Sequence, residues 1–310
     1  AGKAFGNPMV YVERYLQNPH HIEFQVMADH FGNVIHLCER ECSIQRRHQK
    51  IIEETPSPLV DPEMREKMGA VAIQACKSIG YRNAGTIEFL AENDKSFYFL
   101  EMNTRLQVEH PITEQVTGLD LVKMQLRIAS GEPLEITQEE VKTSGHAIEA
   151  RIYAEDPTNG FLPSIGCVNN VDIPGGTRVR VDSSLFKGME VSLFYDPMLA
   201  KLVVTDSTRN EAINRLKRSL GEFHITGVKT NISFLLAILE TDVFREGCYH
   251  TGFVEANLDK ILSRGGSEEL EDVAVIAATL SHIARRDESI FHARKDRNRS
   301  DWVKSFRPQL

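Results

Sequence analysis

The stretch GTIEFLAENDKSFYFLEMN, residues 85–103, decides how the fold is interpreted. Two runs of strand-forming residues flank Asp94 and Lys95, which predicts a β-hairpin closed by a two-residue loop. The predicted cross-strand pairs are Glu88 with Glu101, Leu90 with Phe99 and Glu92 with Phe97. Because side chains alternate between the faces of a strand, Asn103 shares the face of Glu101. The hairpin therefore predicts a patch of two carboxylates and one amide, which a longer loop would misalign.

The hairpin continues into TRLQVEHPITE, residues 104–114, and polar side chains occupy every second position across the junction. They are Glu101, Asn103, Arg105, Gln107 and Glu109. Clustered oxygen ligands suit Mg²⁺ that is bound together with phosphates. The guanidinium of Arg105 matches a small oxyanion, and a nearby carboxylate can accept a proton from that anion. A solvated charged face is the simpler alternative. Apolar neighbours flank both hairpin acids, and a glutamate in such a strand needs a partner or a metal, so we favour a binding site.

The rest of the chain predicts an α+β fold. Strands are predicted at 9–15, 21–29, 34–41, 145–155, 165–173, 177–182 and 198–206. Helices are predicted at 62–79, 112–117, 119–130, 208–220, 229–239, 252–262 and 268–285. Asp61 and Pro62 form a capped start for the first helix, and Gly80 ends it. A change to short strands with Pro/Gly turns places a domain boundary near residue 143.

The composition excludes several classes of protein. Of 310 residues, 41% are hydrophobic and 26% are charged, and the net charge of −8 argues against general nucleic-acid binding. No apolar run approaches the roughly 18 residues of a membrane span, and the N-terminus lacks a signal-peptide pattern. Five scattered cysteines without a C-x-x-C pair predict free thiols in a reducing compartment, either cytoplasmic or an organelle matrix. Because the first residue is Ala1, we expect a chain cut from a longer one.

The motifs of the chain resemble those of one known family. FLEMNTRL, at 99–106, is similar to the second ATP-grasp signature, and QVEHPITE, at 107–114, resembles the continuation found in biotin carboxylases. The resemblance covers about residues 1–262. Its further blocks are ERECSIQRRHQKIIEE (39–54), GTIEF (85–89), GHAIEARIYAEDP (145–157), FLPS (161–164) and YDPMLAKL (195–202).

The resemblance implies a division into three parts. Residues 1–142 would be the C-terminal half of an ATP-grasp domain, an antiparallel sheet with helices, and 143–264 a biotin carboxylase C-terminal domain. Residues 265–310 would be a helical and basic extension, which we expect to be a solvated or docking segment. The parent enzyme would be an acetyl-CoA, propionyl-CoA, other acyl-CoA or pyruvate carboxylase. A separate transferase would carboxylate the final acceptor, so no residue of this chain is expected to identify it.

The resemblance also assigns roles to individual residues. The implied metal ligands are Glu88, Glu101 and Asn103, and the implied bicarbonate site is Lys50, Arg105, Gln107 and Val108. The implied ATP-binding residues are Glu13, Leu16, His21, Gln45, His48 and Lys50. The implied catalytic residues are Glu109 as general base with Arg105 and Arg151. Position 14 departs from the family, with Arg14 where lysine is common. RRHQK, at 46–50, would by itself favour a solvated basic loop, but its place between a strand and the hairpin favours polyphosphate binding.

The implied reaction carboxylates biotin on a carrier protein, with ATP, Mg²⁺ or Mn²⁺, and bicarbonate, through carboxyphosphate. The implied partners are a biotin carboxyl carrier protein, a second copy of the parent enzyme and a carboxyltransferase subunit. No glycine-rich phosphate loop precedes residue 13, so we expect little or no ATP turnover by this chain alone. Two alternatives remain: an ATP-grasp ligase of the carbamoyl-phosphate synthetase type, and a non-catalytic assembly module of a carboxylase complex.

Overall fold

The computed structural model describes residues 1–264 and 276–283. The predicted helix at 268–285 therefore lies largely outside the described residues, although 276–283 are helical. Residues 1–262 form one compact unit. The helices between residues 1 and 264 are α1 (Gly2–Phe5), α2 (Pro62–Ser78), α3 (His110–Thr117), α4 (Leu121–Ala129), α5 (Arg209–Glu222), α6 (Ile232–Leu239), α7 (Asp242–Glu246), α8 (Phe253–Ala256) and α9 (Leu258–Arg264).

An antiparallel sheet of eight strands organises this unit. Its strands are β1 (His20–Ala28), β2 (Val34–Arg46), β3 (Gln49–Thr55), β4 (Asn83–Ala91), β5 (Phe97–Asn103), β6 (His146–Tyr153), β11 (Val179–Ser183) and β13 (Met198–Asp206). They lie side by side in the order β11-β13-β6-β3-β2-β1-β4-β5. Three small two-stranded sheets use β7 (Glu155–Asp156), β8 (Leu162–Pro163), β9 (Gly166–Cys167), β10 (Asn170–Asp172), β12 (Glu190–Val191) and β14 (His224–Thr226). The predicted α+β class is confirmed.

Helix α2 begins as its sequence predicts. The side chain of Asp61 accepts a hydrogen bond from the backbone N–H of Met64 at 2.8 Å, and Pro62 occupies the first turn, where its missing N–H costs nothing. One face of the helix buries Met64, Met68, Ala72 and Cys76 in a core that also contains Phe24 and Phe89. This packing fixes strands β1 and β4, which carry part of the site.

The hairpin of β4 and β5 pairs Glu88 with Glu101, as predicted, but the outer pairs are wrong. Phe99 lies opposite Phe89, and Phe97 lies opposite Ala91, because the connecting turn is longer than two residues. The register shifts by one residue between the pairs of Phe89 and Glu88, which is a β-bulge. The bulge compensates for the longer turn and restores the predicted alignment of the two glutamates.

The predicted strand at 9–15 is wrong, because these residues form coil. Within the described part of the chain, no strand pairs with them, and Val12 is 97% exposed. A strand needs a partner for its backbone N–H and C=O groups, which a favourable composition does not supply. The single strand predicted at 165–173 is likewise two short ones, β9 and β10.

Strands β6 and β13 extend the same sheet beyond residue 143. The backbone of β6 pairs with β3 on one side and with β13 on the other. A second core, built by Leu202, Leu216 and Leu235 among others, packs α5 and α6 against these strands. The hydrogen-bonded sheet therefore runs through the position of the predicted domain boundary, which stays a prediction.

Candidate active site

One cavity of about 740 Å³ collects the residues predicted for the site. Those lining it are Leu16, His21, Gln45, His48, Lys50, Glu88, Glu101, Asn103, Arg105, Gln107, Val108, Glu109 and Arg151. Glu13 is not among its lining residues and lies in the exposed coil before β1. Residues from both predicted domains thus face one space, which no local pattern of sequence specifies.

The predicted metal ligands converge on Glu88. Its Oε1 accepts hydrogen bonds from Asn103 at 3.0 Å and from Gln107 at 2.7 Å, while Asn103 also lies 3.4 Å from Oε1 of Glu101. Burial opposes the charge on Glu88, but His21, Lys50 and Gln107 together outweigh it and lower its pKa to about 2. Two carboxylates and an amide oxygen are a donor set that suits Mg²⁺ together with phosphate oxygens.

Lys50 contacts three carboxylates at once. Its ammonium lies 2.6 Å from Glu23, 2.6 Å from Glu109 and 3.2 Å from Glu88. Burial opposes the charge, but Glu23 and the other carboxylates more than offset this and raise the pKa of Lys50. The side chain is only 13% exposed, so a solvated basic loop is a wrong interpretation for Lys50.

Arg151 and Lys50 hold opposite oxygens of Glu109. Nη2 of Arg151 donates to Oε2 of Glu109 at 2.9 Å, and Nε donates to Glu53 at 2.6 Å. Lys50 donates to the other oxygen of Glu109. Burial opposes the charge on Arg151, yet Glu53 and Glu109 raise its pKa. The result is a carboxylate between two cations, on the wall of a cavity that an anion can enter.

Arg105 and Val108, which are also predicted to bind bicarbonate, line the same cavity. The guanidinium of Arg105 is exposed and donates to the carbonyl of Leu106 at 3.3 Å. The carbonyl of Val108 accepts from the ammonium of Lys201 at 2.9 Å, which holds this part of the backbone in place. Arg105 is therefore an exposed cation of the cavity, whereas the backbone of Val108 is held by Lys201.

The sequence interpretation missed Glu23 and Arg40, which support the site from behind. Arg40 is fully buried and donates to Glu23, to Gln25 at 2.9 Å and to the side-chain carbonyl of Gln107 at 2.8 Å. Since Gln107 gives its amino group to Glu88, both ends of its amide are fixed. Charged residues alternating inside the apolar strands β1 and β2 were the signal for this network.

The residues predicted to bind nucleotide, other than Glu13, line the same cavity. Nδ1 of His21 lies 2.7 Å from the amide nitrogen of Gln45, and Nε2 lies 2.8 Å from Glu88. His48 is exposed in the tight turn between β2 and β3 at a φ of 64°, a conformation uncommon for residues other than glycine. Leu16 is buried. His21 thereby connects Gln45 to the predicted metal patch.

Two family models match the chain. The carbamoyl-phosphate synthase L chain, ATP binding domain, matches residues 1–137, and the biotin carboxylase C-terminal domain matches residues 149–256. The sheet and its carboxylate-lined cavity define the C-terminal half of an ATP-grasp domain, followed by a biotin carboxylase C-terminal domain. The chain belongs to the biotin carboxylase family of ATP-grasp proteins.

Known relatives agree with this assignment. One subunit of the pyruvate carboxylase of Methanothermobacter thermautotrophicus is 58% identical over 255 residues, 82% of this chain and 52% of that protein. The biotin carboxylase of Halalkalibacterium halodurans is 52% identical over 254 residues, 82% of this chain and 56% of that protein. The chain thus spans about half the length of the curated relatives it matches.

A solved structure is also similar. It is the biotin carboxylase domain dimer of the Hydrogenobacter thermophilus 2-oxoglutarate carboxylase, in complex with MgADP, ADP and bicarbonate. It shares 48% identity and a TM-score of 0.80, covering 83% of this chain and 56% of that one. Within the described residues, each helix is too short or too polar to cross a lipid bilayer.

Proposed function

We propose that this chain supplies the metal and bicarbonate side of an enzyme that carboxylates biotin on a carrier protein, using ATP and bicarbonate through carboxyphosphate. The observation that carries the proposal is the position of Glu109 between Lys50 and Arg151, 2.6 Å and 2.9 Å away, in the cavity that also holds the Glu88 patch. A base, a pair of cations and a set of metal ligands in one space are what this reaction requires.

Glu88, Glu101 and Asn103 would hold Mg²⁺ or Mn²⁺. When bound there, the metal would neutralise the charge on the phosphates during phosphoryl transfer. Glu88 is held by four surrounding donors, whereas Glu101 is exposed to the cavity. We infer that Glu88 is the rigid ligand of this set and that Glu101 approaches the metal from the open side.

Lys50, Arg105, Gln107 and Val108 would bind bicarbonate. Arg105 and Lys50 provide positive charge, Gln107 is rigid because both ends of its amide are bonded, and Glu109 would accept the proton of the anion. Arg151 would then orient the anion and stabilise the enolate form of biotin. Holding both reactants close gains rate through proximity, and keeping water out protects carboxyphosphate.

Leu16, His21, Gln45, His48 and Lys50 would contact the nucleotide, together with Glu13. Support for this assignment is that all of them except Glu13 line the cavity, and that His21 and Lys50 contact Glu88. Glu13 has the weakest support, since its side chain is exposed in coil. We retain the division into 1–142, 143–264 and 265–310 as a proposal, consistent with two family models that end and begin on either side of residue 143.

The proposed partners are a biotin carboxyl carrier protein, a second copy of the enzyme and a carboxyltransferase subunit. All five cysteines lie in the described residues and none forms a disulfide, which supports a reducing location, cytoplasmic or an organelle matrix. The relatives include subunits of a pyruvate carboxylase, a 2-oxoglutarate carboxylase and a methylcrotonoyl-CoA carboxylase. Their different acceptors agree with a final acceptor chosen outside this chain.

A bicarbonate-dependent ATPase assay with free biotin tests the proposal on the 310-residue chain and on a longer protein that contains it. We expect biotin-dependent turnover from the longer protein and little from the chain alone. Arg151→Ala or Glu101→Ala in the longer protein should abolish turnover. Undiminished carboxylation by both variants would support the non-catalytic assembly module, and ammonia-dependent turnover would support a ligase of the carbamoyl-phosphate synthetase type.

A further inference from the structure

Two buried glutamates lie behind the site without a role in the reaction described so far. Glu53 on β3 is directly opposite Glu149 on β6, and both are completely buried. Directly opposite residues of antiparallel strands point to the same face, with Cβ atoms about 5 Å apart. Arg151 follows Glu149 by two positions on β6 and so shares this face. The two carboxyl groups therefore lie beside each other and next to Arg151.

The hydrogen bonds of this pair are incomplete. Oε1 of Glu53 accepts from Nε of Arg151 at 2.6 Å, but Oε2 of Glu53 and both carboxyl oxygens of Glu149 have no hydrogen-bond partner. An ionised carboxylate that is buried without a partner is very costly, and it takes up a proton instead. Two adjacent carboxyl groups also resist ionising together, as like charges at close range do.

The surroundings explain why Glu149 finds no cation. The charged or titratable groups that face the pair are Cys42, Lys50, Glu109, Arg151, Tyr153 and Lys201. Helix α3 packs Ile112 and Val116 against this part of the sheet, and its partly buried His110 interacts electrostatically with Lys201. The ammonium of Lys201 donates instead to the carbonyl of Val108 at 2.9 Å. Burial and then the charge of Glu53 raise the pKa of Glu149, and burial raises that of Glu53 to about 7 despite Arg151.

We propose that Glu53 and Glu149 share one proton, so that the pair presents a single negative charge behind Arg151 and positions its guanidinium between Glu53 and Glu109. The positioning role rests on the proposed function, whereas the shared proton does not. With no charge on the pair, Arg151 would pair with Glu109 alone and withdraw the base from the bound anion. With two charges, Arg151 would be drawn towards the sheet and away from the cavity.

The first test measures the shared proton on the 310-residue chain and needs no catalytic activity. A carboxyl whose pKa is raised by folding stays protonated in the folded state above pH 4.5, the ordinary glutamate value, while the unfolded state releases its proton. Its contribution to stability therefore falls as the pH rises. Denaturant titration between about pH 6 and pH 7.5 should show the unfolding constant of the unaltered chain rising relative to Glu149→Gln, by about tenfold per pH unit.

A matched control and a second measurement keep this test decisive. Glu66→Gln makes the same chemical change on an exposed residue of α2, and its unfolding constant should keep a fixed ratio to that of the unaltered chain at every pH. A pH-independent ratio for Glu149→Gln as well would overturn the shared proton. Should Glu149→Gln fail to fold, carbon NMR of the glutamate carboxyl groups in the unaltered chain decides: a protonated glutamate at pH 7 supports the proposal, and complete ionisation overturns it.

The second test measures positioning in a longer protein that contains this chain. Glu53→Gln removes the charge-assisted hydrogen bond to Arg151, so the KM for bicarbonate should rise at least about tenfold, with a smaller change in kcat. In the unaltered protein the KM for bicarbonate should rise towards alkaline pH as the pair gains its second charge. Glu149→Gln cannot gain that charge, and its profile should stay flatter.

The outcomes of the two tests separate the two ideas. Parallel pH profiles for the unaltered protein and Glu149→Gln would overturn the positioning role, because a merely structural side chain leaves the profile unmoved. If the longer protein carboxylates no biotin at all, the proposed function fails, while denaturation and NMR of the 310-residue chain still decide whether the proton is shared.

Discussion

Arg151 donates from Nη2 to Oε2 of Glu109 at 2.9 Å, across 42 positions of sequence. The contact joins β6 to the loop before α3. Lys50 on β3 donates to the other carboxyl oxygen of Glu109 at 2.6 Å. A carboxylate between two fixed cations keeps its orientation and needs no rearrangement before it accepts a proton.

Replacing Glu109 with glutamine should remove the proposed general base while keeping the shape of the side chain. In the longer protein we expect carboxylation of biotin to fall by at least about 10²-fold, the usual contribution of a positioned general base. Glu132→Gln, on an exposed turn, is the matched control and should retain full activity. Activity of Glu109→Gln within a few-fold of the unaltered protein would exclude Glu109 as the base.

Replacing Arg40 with methionine should destabilise the chain more than any surface arginine does. The change leaves Glu23 buried with only Lys50 as a charged partner, and breaking a buried pair costs about 3–5 kcal/mol. Arg218→Ala removes an exposed pair with Glu222 and should cost less than about 1 kcal/mol. Denaturant unfolding measures both free energies, and equal losses would contradict the importance assigned to the buried network.

Replacing Glu101 with glutamine should weaken metal binding without affecting folding. The side chain is exposed, so its loss leaves no unsatisfied buried group, but it removes one of two carboxylate ligands. Titration of the chain with Mn²⁺, followed by water-proton relaxation, should show affinity reduced at least about tenfold. The exposed control Glu63→Gln should bind Mn²⁺ like the unaltered chain; unchanged affinity in Glu101→Gln would place the metal elsewhere.

Glu54 should make the chain sensitive to acid. It accepts hydrogen bonds from His146 at 2.6 Å, from Arg209 at 2.7 Å and from Tyr249, and these partners lower its pKa to about 2 despite burial. A carboxyl whose pKa is lowered by folding stabilises the folded state at pH values above 4.5, its ordinary pKa. This contribution is lost as the pH falls towards 2.

Glu54→Gln tests this pH dependence directly. At pH 7 the variant should be less stable by on the order of 3 kcal/mol, and the difference should shrink as the pH falls from about 5 to 3. Urea titrations at each pH measure it. A difference that stays constant across this range would show that the charge of Glu54 is not what stabilises the fold.

Local patterns account for part of the fold and of the site. Asp61 and Pro62 start α2 because capping and a fixed φ act within one turn. Alternation along β5 placed Asn103 beside Glu101, since it depends only on strand geometry. The register of the hairpin depended in addition on a bulge, and the bulge left no clear signal in composition.

Other features required contacts between distant segments. The prediction of a strand at 9–15 was wrong, because residues that favour strands form one only when a partner strand is present. Arg40 and Glu23 were not predicted, because a charged residue in a strand is expected to be exposed, and only the structure shows that both side chains are buried. The roles of Glu53 and Glu149 depend on the pairing of β3 with β6, almost a hundred residues apart.

The sequence alone determined the capped start of α2, the alternation of the hairpin and the motifs that resemble biotin carboxylases. Only the tertiary structure decided that Lys50 reaches three carboxylates, that Arg151 meets Glu109, and that Glu53 faces Glu149 without a cation for the second charge. The physical reason is range. Capping and alternation act over a few residues, whereas electrostatics and burial depend on which strands the sheet brings side by side.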